Sequence, residues 1–95
     1  MAPRSEIEKV FITYILYSET LNKFYVGHTE DMIDRIKRHN NGEGKFTKSG
    51  IPWKIKWTYE SNTRSEAIHL ENKIKKRGTK RFLEDNNIRG VAQPG

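Results

Sequence analysis

The chain has 95 residues, with 18 Lys and Arg against 12 Asp and Glu, for a formal charge of +6. That length holds one domain with one small core, and the absence of cysteine excludes a disulfide framework, a thiol nucleophile and a cysteine-based zinc site. No apolar run approaches the roughly 18–20 residues of a membrane span, and the polar, mixed-charge start does not read as a secretory signal, so a small, soluble, cytoplasmic domain with no membrane contact is expected.

Residues 1–9 read as a polar lead. Val10–Tyr17 is a β-branched and aromatic run, predicting a strand buried on both faces. Ser18–Asn22 is a polar loop of hairpin length, and Lys23–Thr29 resumes strand character with Phe24, Tyr25 and Val26. A helix follows, capped by Thr29 or Asp31 and stopped by Asn40-Asn41-Gly42. Met32, Ile33 and Ile36 form its expected apolar stripe, with Arg35 and His39 together on one shoulder. Glu43–Pro52 is a loop. Trp53–Glu60 alternates, so Trp53, Ile55, Trp57 and Tyr59 are expected on one core-facing side of a half-buried third strand. Thr63-Arg64-Ser65-Glu66 is a capping box that opens a second long helix near Arg64, ended by Gly78. Lys80–Asp85 fits one short helix more, and 88–95 reads as a loose tail. The domain thus spans 10–87, with the order β-β-α-β-α-α of an α+β fold.

The charge is unevenly distributed. Lys73, Lys75, Lys76, Arg77, Lys80 and Arg81 follow one another with no acid between them, and Lys37, Arg38, Lys45 and Lys48 form a looser group. Such a pattern favours a polyanionic partner, nucleic acid first, although a run of this kind can also be a solvated face. The second helix carries an anomaly. Ala67, Leu70 and Ile74 define its apolar face, and the helical wheel places Glu71 inside that arc, between Ala67 and Ile68. A buried carboxylate without a counter-charge is costly, so Glu71 needs a cation, for example Arg35, or a metal. As an oxygen ligand it would suit Mg²⁺ or Mn²⁺, with water and phosphate oxygens completing the shell.

These residues together resemble the GIY-YIG endonuclease domain. Its first motif has its counterpart in Ile12-Thr13-Tyr14 and its second in Tyr25-Val26-Gly27, with eleven positions between the tyrosines. Arg35 follows ten positions after Tyr25, His39 lies one turn on, and Glu71 occupies the next long helix. Arg35-Ile36-Lys37-Arg38-His39-Asn40 and Glu71-Asn72-Lys73-Ile74-Lys75 resemble the short stand-alone members, often labelled excision-repair nuclease-like. The first motif departs from the family name at Ile12 and Thr13, and the family's late Asn has two candidates, Asn86 and Asn87, of which spacing favours Asn86.

The resemblance implies a three-stranded antiparallel sheet with flanking helices. It implies metal-dependent hydrolysis of DNA phosphodiesters, leaving 5′-phosphate and 3′-hydroxyl ends, with branched or damaged DNA in repair or recombination as the expected setting. Glu71 would be the ligand of one Mg²⁺ or Mn²⁺ ion. Arg35 would grip a non-bridging oxygen. Tyr14 or Tyr25 would take the proton of the attacking water, with His39 as the second member of a relay. Gly27, His28, Lys73 and Asn86 complete the implied substrate-binding set. Singly, each residue has an ordinary structural reading: core aromatics for the tyrosines, an ion pair for Arg35 and Glu71, close backbone approach for Gly27. Trp53 and Trp57 are expected in the core, and His69 is given no role. The alternatives are a catalytically silent nucleic-acid-binding module and an adaptor that meets a protein partner.

Overall fold

The computed structural model describes residues 9–45 and 47–86. Most of the predicted lead, the predicted tail and Asn87 lie outside the described residues. The elements run β1 (Phe11–Ser18), β2 (Lys23–Thr29), α1 (Met32–Asn40), a single 3₁₀ turn (Lys48–Gly50), β3 (Trp53–Ser61), α2 (Arg64–Arg77) and α3 (Thr79–Asp85).

Three antiparallel strands form one sheet in the order β2-β1-β3. β1 is central, which explains its unbroken apolar run: Thr13, Tyr14, Ile15 and Leu16 are all buried, with successive side chains on opposite faces. On one face Ile15 packs with Val26, Ile74 and Phe82, under α2 and α3. On the other, Tyr14 and Leu16 pack with Trp53, and Met32 and Ile36 of α1 close over them. The helices therefore flank a thin sheet on both sides.

The caps follow local chemistry. The Asp31 side chain accepts from Asp34 N at 3.0 Å and starts α1. Thr63 Oγ1 accepts from Glu66 N at 3.1 Å while Glu66 accepts from Thr63 N at 3.3 Å, the reciprocal box expected for α2. Gly78, at φ 97°, separates α2 from α3 with a backbone conformation that a side chain would strain.

Two expectations are corrected. Trp53, Ile55, Trp57 and Tyr59 do not share one face. Leu16 faces Ile55 but Ile15 faces Trp57, so Lys56 is an extra residue on β3. This bulge inverts the alternation: Trp53 joins the Tyr14 cluster and Trp57 the Ile15 cluster. In α1, Ile33 is 71% exposed rather than part of the stripe. The core-facing line is Met32 and Ile36, both partly buried, and the buried His39, spaced four and three residues apart, with the polar His39 in the last turn.

Candidate active site

The site forms at the β2 edge, where groups from both faces of the sheet meet. Tyr14 comes from the α1 face. It stands opposite Gly27 in the β1–β2 ladder, and its ring lies across that residue. A Cβ at Gly27 would sit 2.6 Å from the Tyr14 hydroxyl oxygen and 2.8 Å from Cζ. The missing side chain is thus the space the phenol occupies.

The Tyr14 hydroxyl meets His39 Nε2 at 3.2 Å, and His39 Nδ1 meets Thr47 Oγ1 at 2.9 Å. Thr47 Oγ1 donates in turn to the Gly44 carbonyl at 3.4 Å. With Thr47 Oγ1 donating to Gly44, we assign the imidazole hydrogen to Nδ1, which leaves Nε2 to accept from Tyr14. Tyr14 is 1% exposed, and burial pushes its hydroxyl up to about 12, with Tyr25 and Glu71 adding to the rise and Arg35 opposing it. Burial, reinforced by the Arg35 charge, holds His39 below its usual value. The resting pair is therefore a neutral phenol on a neutral imidazole.

Tyr25 and Arg35 are half-buried and lie further out. The Tyr25 ring packs on His39 at 5.0 Å, on Trp53 at 6.1 Å and on Tyr14 at 6.4 Å between centroids. Arg35 borders a hollow with His28 on one side and a hollow with His39 on the other.

The acid comes from the opposite face. Thr13 Oγ1 donates to the Ala67 carbonyl at 3.0 Å and seats α2 against β1. One turn further along α2, Glu71 Oε1 accepts from His28 Nδ1 at 2.6 Å and Oε2 from Lys75 Nζ at 2.6 Å. Its side chain is 14% exposed. Burial alone would raise the Glu71 carboxyl, but the bonds and charges of Lys75 and His28 outweigh it and hold it below the usual carboxylate range. The anomalous acid is thus answered by His28 and Lys75, not by Arg35. Its charge still reaches the Tyr14 hydroxyl.

Among the described residues no group of three or more His, Cys, Asp or Glu could hold a metal ion. What the site offers is one ionised carboxylate, Glu71, whose two oxygens accept from His28 and Lys75. A divalent cation there would displace one of these donors, take that single protein oxygen and fill its shell with water and substrate phosphate.

Tyr14, Tyr25, Gly27, His28, Arg35, His39 and Glu71 are thus brought to one edge. Lys73 and Asn86 are not. Lys73 lies on the opposite side of α2 from Glu71 and lines a different hollow, together with Asn86. Asn86 Nδ2 donates to the Phe82 carbonyl at 2.8 Å and so caps the last turn of α3. These two, implied as substrate-binding residues, lie apart from the Tyr14 site because α2 turns Lys73 away from Glu71 and Asn86 ends α3.

Three contributors carry little signal in the sequence. Thr47 sits in a loop, held there by its carbonyl bond from Trp53 Nε1 at 2.6 Å. Thr13 looks like a motif departure, yet its hydroxyl is what seats α2. Lys75 is one member of a basic run, and only its four-residue spacing from Glu71 marks it.

A three-stranded α+β domain with two tyrosines, an arginine, a histidine and a helical glutamate at one sheet edge defines a GIY-YIG-type module. The chain belongs to this family: the GIY-YIG catalytic domain matches residues 10–84. It is 31% identical over 71 residues to a UPF0213 protein of Bacillus licheniformis, covering 70% of this chain and 73% of the relative. A UPF0213 protein of Streptococcus pneumoniae is 36% identical over 72 residues, covering 72% and 73% respectively. The solution structure of a UPF0213 protein from Bacillus halodurans superposes with a TM-score of 0.53 at 27% identity, over 85% of this chain and 86% of that one. Family membership points to nuclease activity with DNA as substrate. No helix among the described residues is long and apolar enough to cross a membrane.

Proposed function

We propose that the chain is a divalent-metal-dependent endonuclease that hydrolyses DNA phosphodiesters to 5′-phosphate and 3′-hydroxyl ends. The observation that carries this is the Tyr14–His39 hydrogen bond, closed over Gly27 beside Arg35 and within reach of the Glu71 charge.

Arg35 binds a non-bridging oxygen of the scissile phosphate, since its guanidinium stays charged and borders both outer hollows. His28 adds a donor on the same rim. A divalent ion held by Glu71 would polarise the phosphate and stabilise the leaving oxygen. The proton of the attacking water passes to the Tyr14 oxygen as the Tyr14 proton moves to His39 Nε2. The new hydroxide oxygen bonds to phosphorus, and the bond to the 3′ oxygen breaks. This concerted transfer avoids a free phenolate, which burial makes expensive. The burial that disfavours charge on His39 also makes its captured proton easy to release to the leaving oxygen or to solvent. Thr47 keeps Nε2 available by accepting from Nδ1. Tyr25, which has no such onward acceptor among the described residues, forms the wall facing the substrate. Branched or damaged DNA, as met in repair, is the substrate class proposed.

The test is incubation with supercoiled, flapped and nicked DNA in Mg²⁺ or Mn²⁺, with a chelator control and ligation of the products to verify the ends. Cleavage that stops with chelator and with Glu71→Gln is expected. Cleavage no greater than that of Glu71→Gln would overturn the proposal. If salt-sensitive binding then persists, the silent binding module is the reading that remains.

A further inference from the structure

At the β3 edge, away from the Tyr14 site, a hollow of about 480 Å³ is lined by Trp57, Tyr59, Leu70, Lys73, Phe82 and Asn86 among others. Tyr59, one of its lining rings, is 55% exposed. It is not loose. Its ring stacks on Trp57 with centroids 6.0 Å apart and planes 14° from parallel, and Trp57 is wedged edge-on against Phe82 at 4.9 Å. The bulge at Lys56 produces this, because it turns Trp57 and Tyr59 to the α2 face. A flat aromatic surface is thus fixed in place with more than half of Tyr59 open to solvent.

Beside it the charge is positive. A second hollow of about 610 Å³ shares Lys73, Phe82 and Asn86 with the first and adds Lys76, Arg77, Arg81 and Asp85. Its one acid, Asp85, is paired with Arg77 at 2.6 and 3.0 Å. In the first hollow Glu66 is held by the α2 capping box, and Glu60 has partners of its own. Lys73 and Lys76 make no ion pair among the described residues. The basic run in the sequence therefore divides: Lys75 serves Glu71 and Arg77 serves Asp85, while Lys73 and Lys76 remain for an outside anion.

A rigid exposed ring with unpaired cations along one side is the chemistry that recognises an unpaired polynucleotide, by base stacking and phosphate contact. We propose that this hollow is a second nucleic-acid site, which binds a single-stranded segment with a base on Tyr59 and its phosphates on Lys73 and Lys76. A duplex cannot use it, since its bases are already stacked on one another. The site does not depend on hydrolysis at the Tyr14 edge and is measurable without it.

The experiment uses the full chain with a chelator present, titrating a labelled oligothymidylate of about 12 nucleotides followed by fluorescence anisotropy. Tyr59→Ala is expected to weaken binding roughly tenfold, and Tyr59→Phe to restore it, because stacking needs the ring and not the hydroxyl. Lys73→Ala is expected to lower the slope of log affinity against log salt by about 0.7. An iodouracil oligonucleotide should photo-crosslink to Tyr59. The proposal is overturned if folded Tyr59→Ala binds the single strand as the parent chain does, or if the crosslink maps to Tyr25 and not to Tyr59.

Discussion

The two edges of the sheet are built on opposite plans. At the β2 edge nearly every polar group is satisfied by another: Tyr14 by His39, His39 by Thr47, Glu71 by His28 and Lys75. At the β3 edge one face of Tyr59 is left to solvent by its stack on Trp57, and the ammonium groups of Lys73 and Lys76 make no ion pair among the described residues. The first plan fixes protonation states and orientations before a substrate arrives, which is what bond-breaking chemistry requires. The second leaves charge and aromatic surface uncommitted, which suits sequence-tolerant binding. The contrast predicts that substitutions at the β2 edge act on turnover, and that those at the β3 edge act on affinity and its salt dependence.

The largest expected effect is at Glu71. Glu71→Gln keeps the shape but removes the charge, and should cut the cleavage rate roughly a thousandfold. Gel assay of supercoiled DNA measures this, and a variant retaining parental turnover breaks the contrast outright. Tyr14→Phe comes next. It removes the hydroxyl with the onward acceptor and should lower turnover about a hundredfold, whereas Tyr25→Phe should cost clearly less. Equal losses would show that the His39 bond does not select the proton carrier.

Gly27→Ala sharpens the comparison through stability. Its Cβ would overlap the Tyr14 ring, so the phenol must move, at about 1–3 kcal/mol. A fall in the midpoint of thermal unfolding, together with lost cleavage, is the expected signature. Thr63→Ala removes the α2 cap and should cost about 1 kcal/mol. Since α2 carries both Glu71 and Lys73, it should leave the balance between turnover and binding unchanged at a temperature where the variant is folded.

The smallest effect is acid-dependent. His39 titrates lower in the folded chain than its ordinary 6.5. Below that pH the unfolded chain binds a proton that the folded chain refuses, so stability falls as pH drops below 6.5 and is unaffected by His39 above it. The Glu71 carboxyl is depressed, so its contribution is present above the ordinary 4.5 and is lost only at lower pH. Denaturant unfolding across this range should show both losses, and His39→Gln should remove the upper one alone.

The order of elements, the buried central strand and the α2 capping box were legible in the residues themselves, while the α1 cap was narrowed to Thr29 or Asp31, of which the structure shows Asp31. They depend on periodicity and on side chains reaching a few positions along the chain, as with Thr63 and Glu66. The grouping of Tyr14, Tyr25, Arg35, His39 and Glu71 was implied by the resemblance to the GIY-YIG family that their order and spacing carry. Their partnerships were not. Thr47, His28 and Lys75 became contacts only once loop, strand and helix were placed, and the register of β1 with β2 decided that Gly27 lies beneath the Tyr14 ring. Lys73 is two residues from Glu71 in sequence, yet the helix turns it to the other side, toward the hollow that Asn86 lines from the end of α3.

Local chemistry thus determined which segments are helix or strand, because turns, caps and alternation are set over a few residues. The tertiary structure alone decided what meets what. One extra residue in β3 reverses a face, and one absent side chain in β2 makes room for a phenol, since strand side chains alternate strictly and packing leaves no slack to absorb either change.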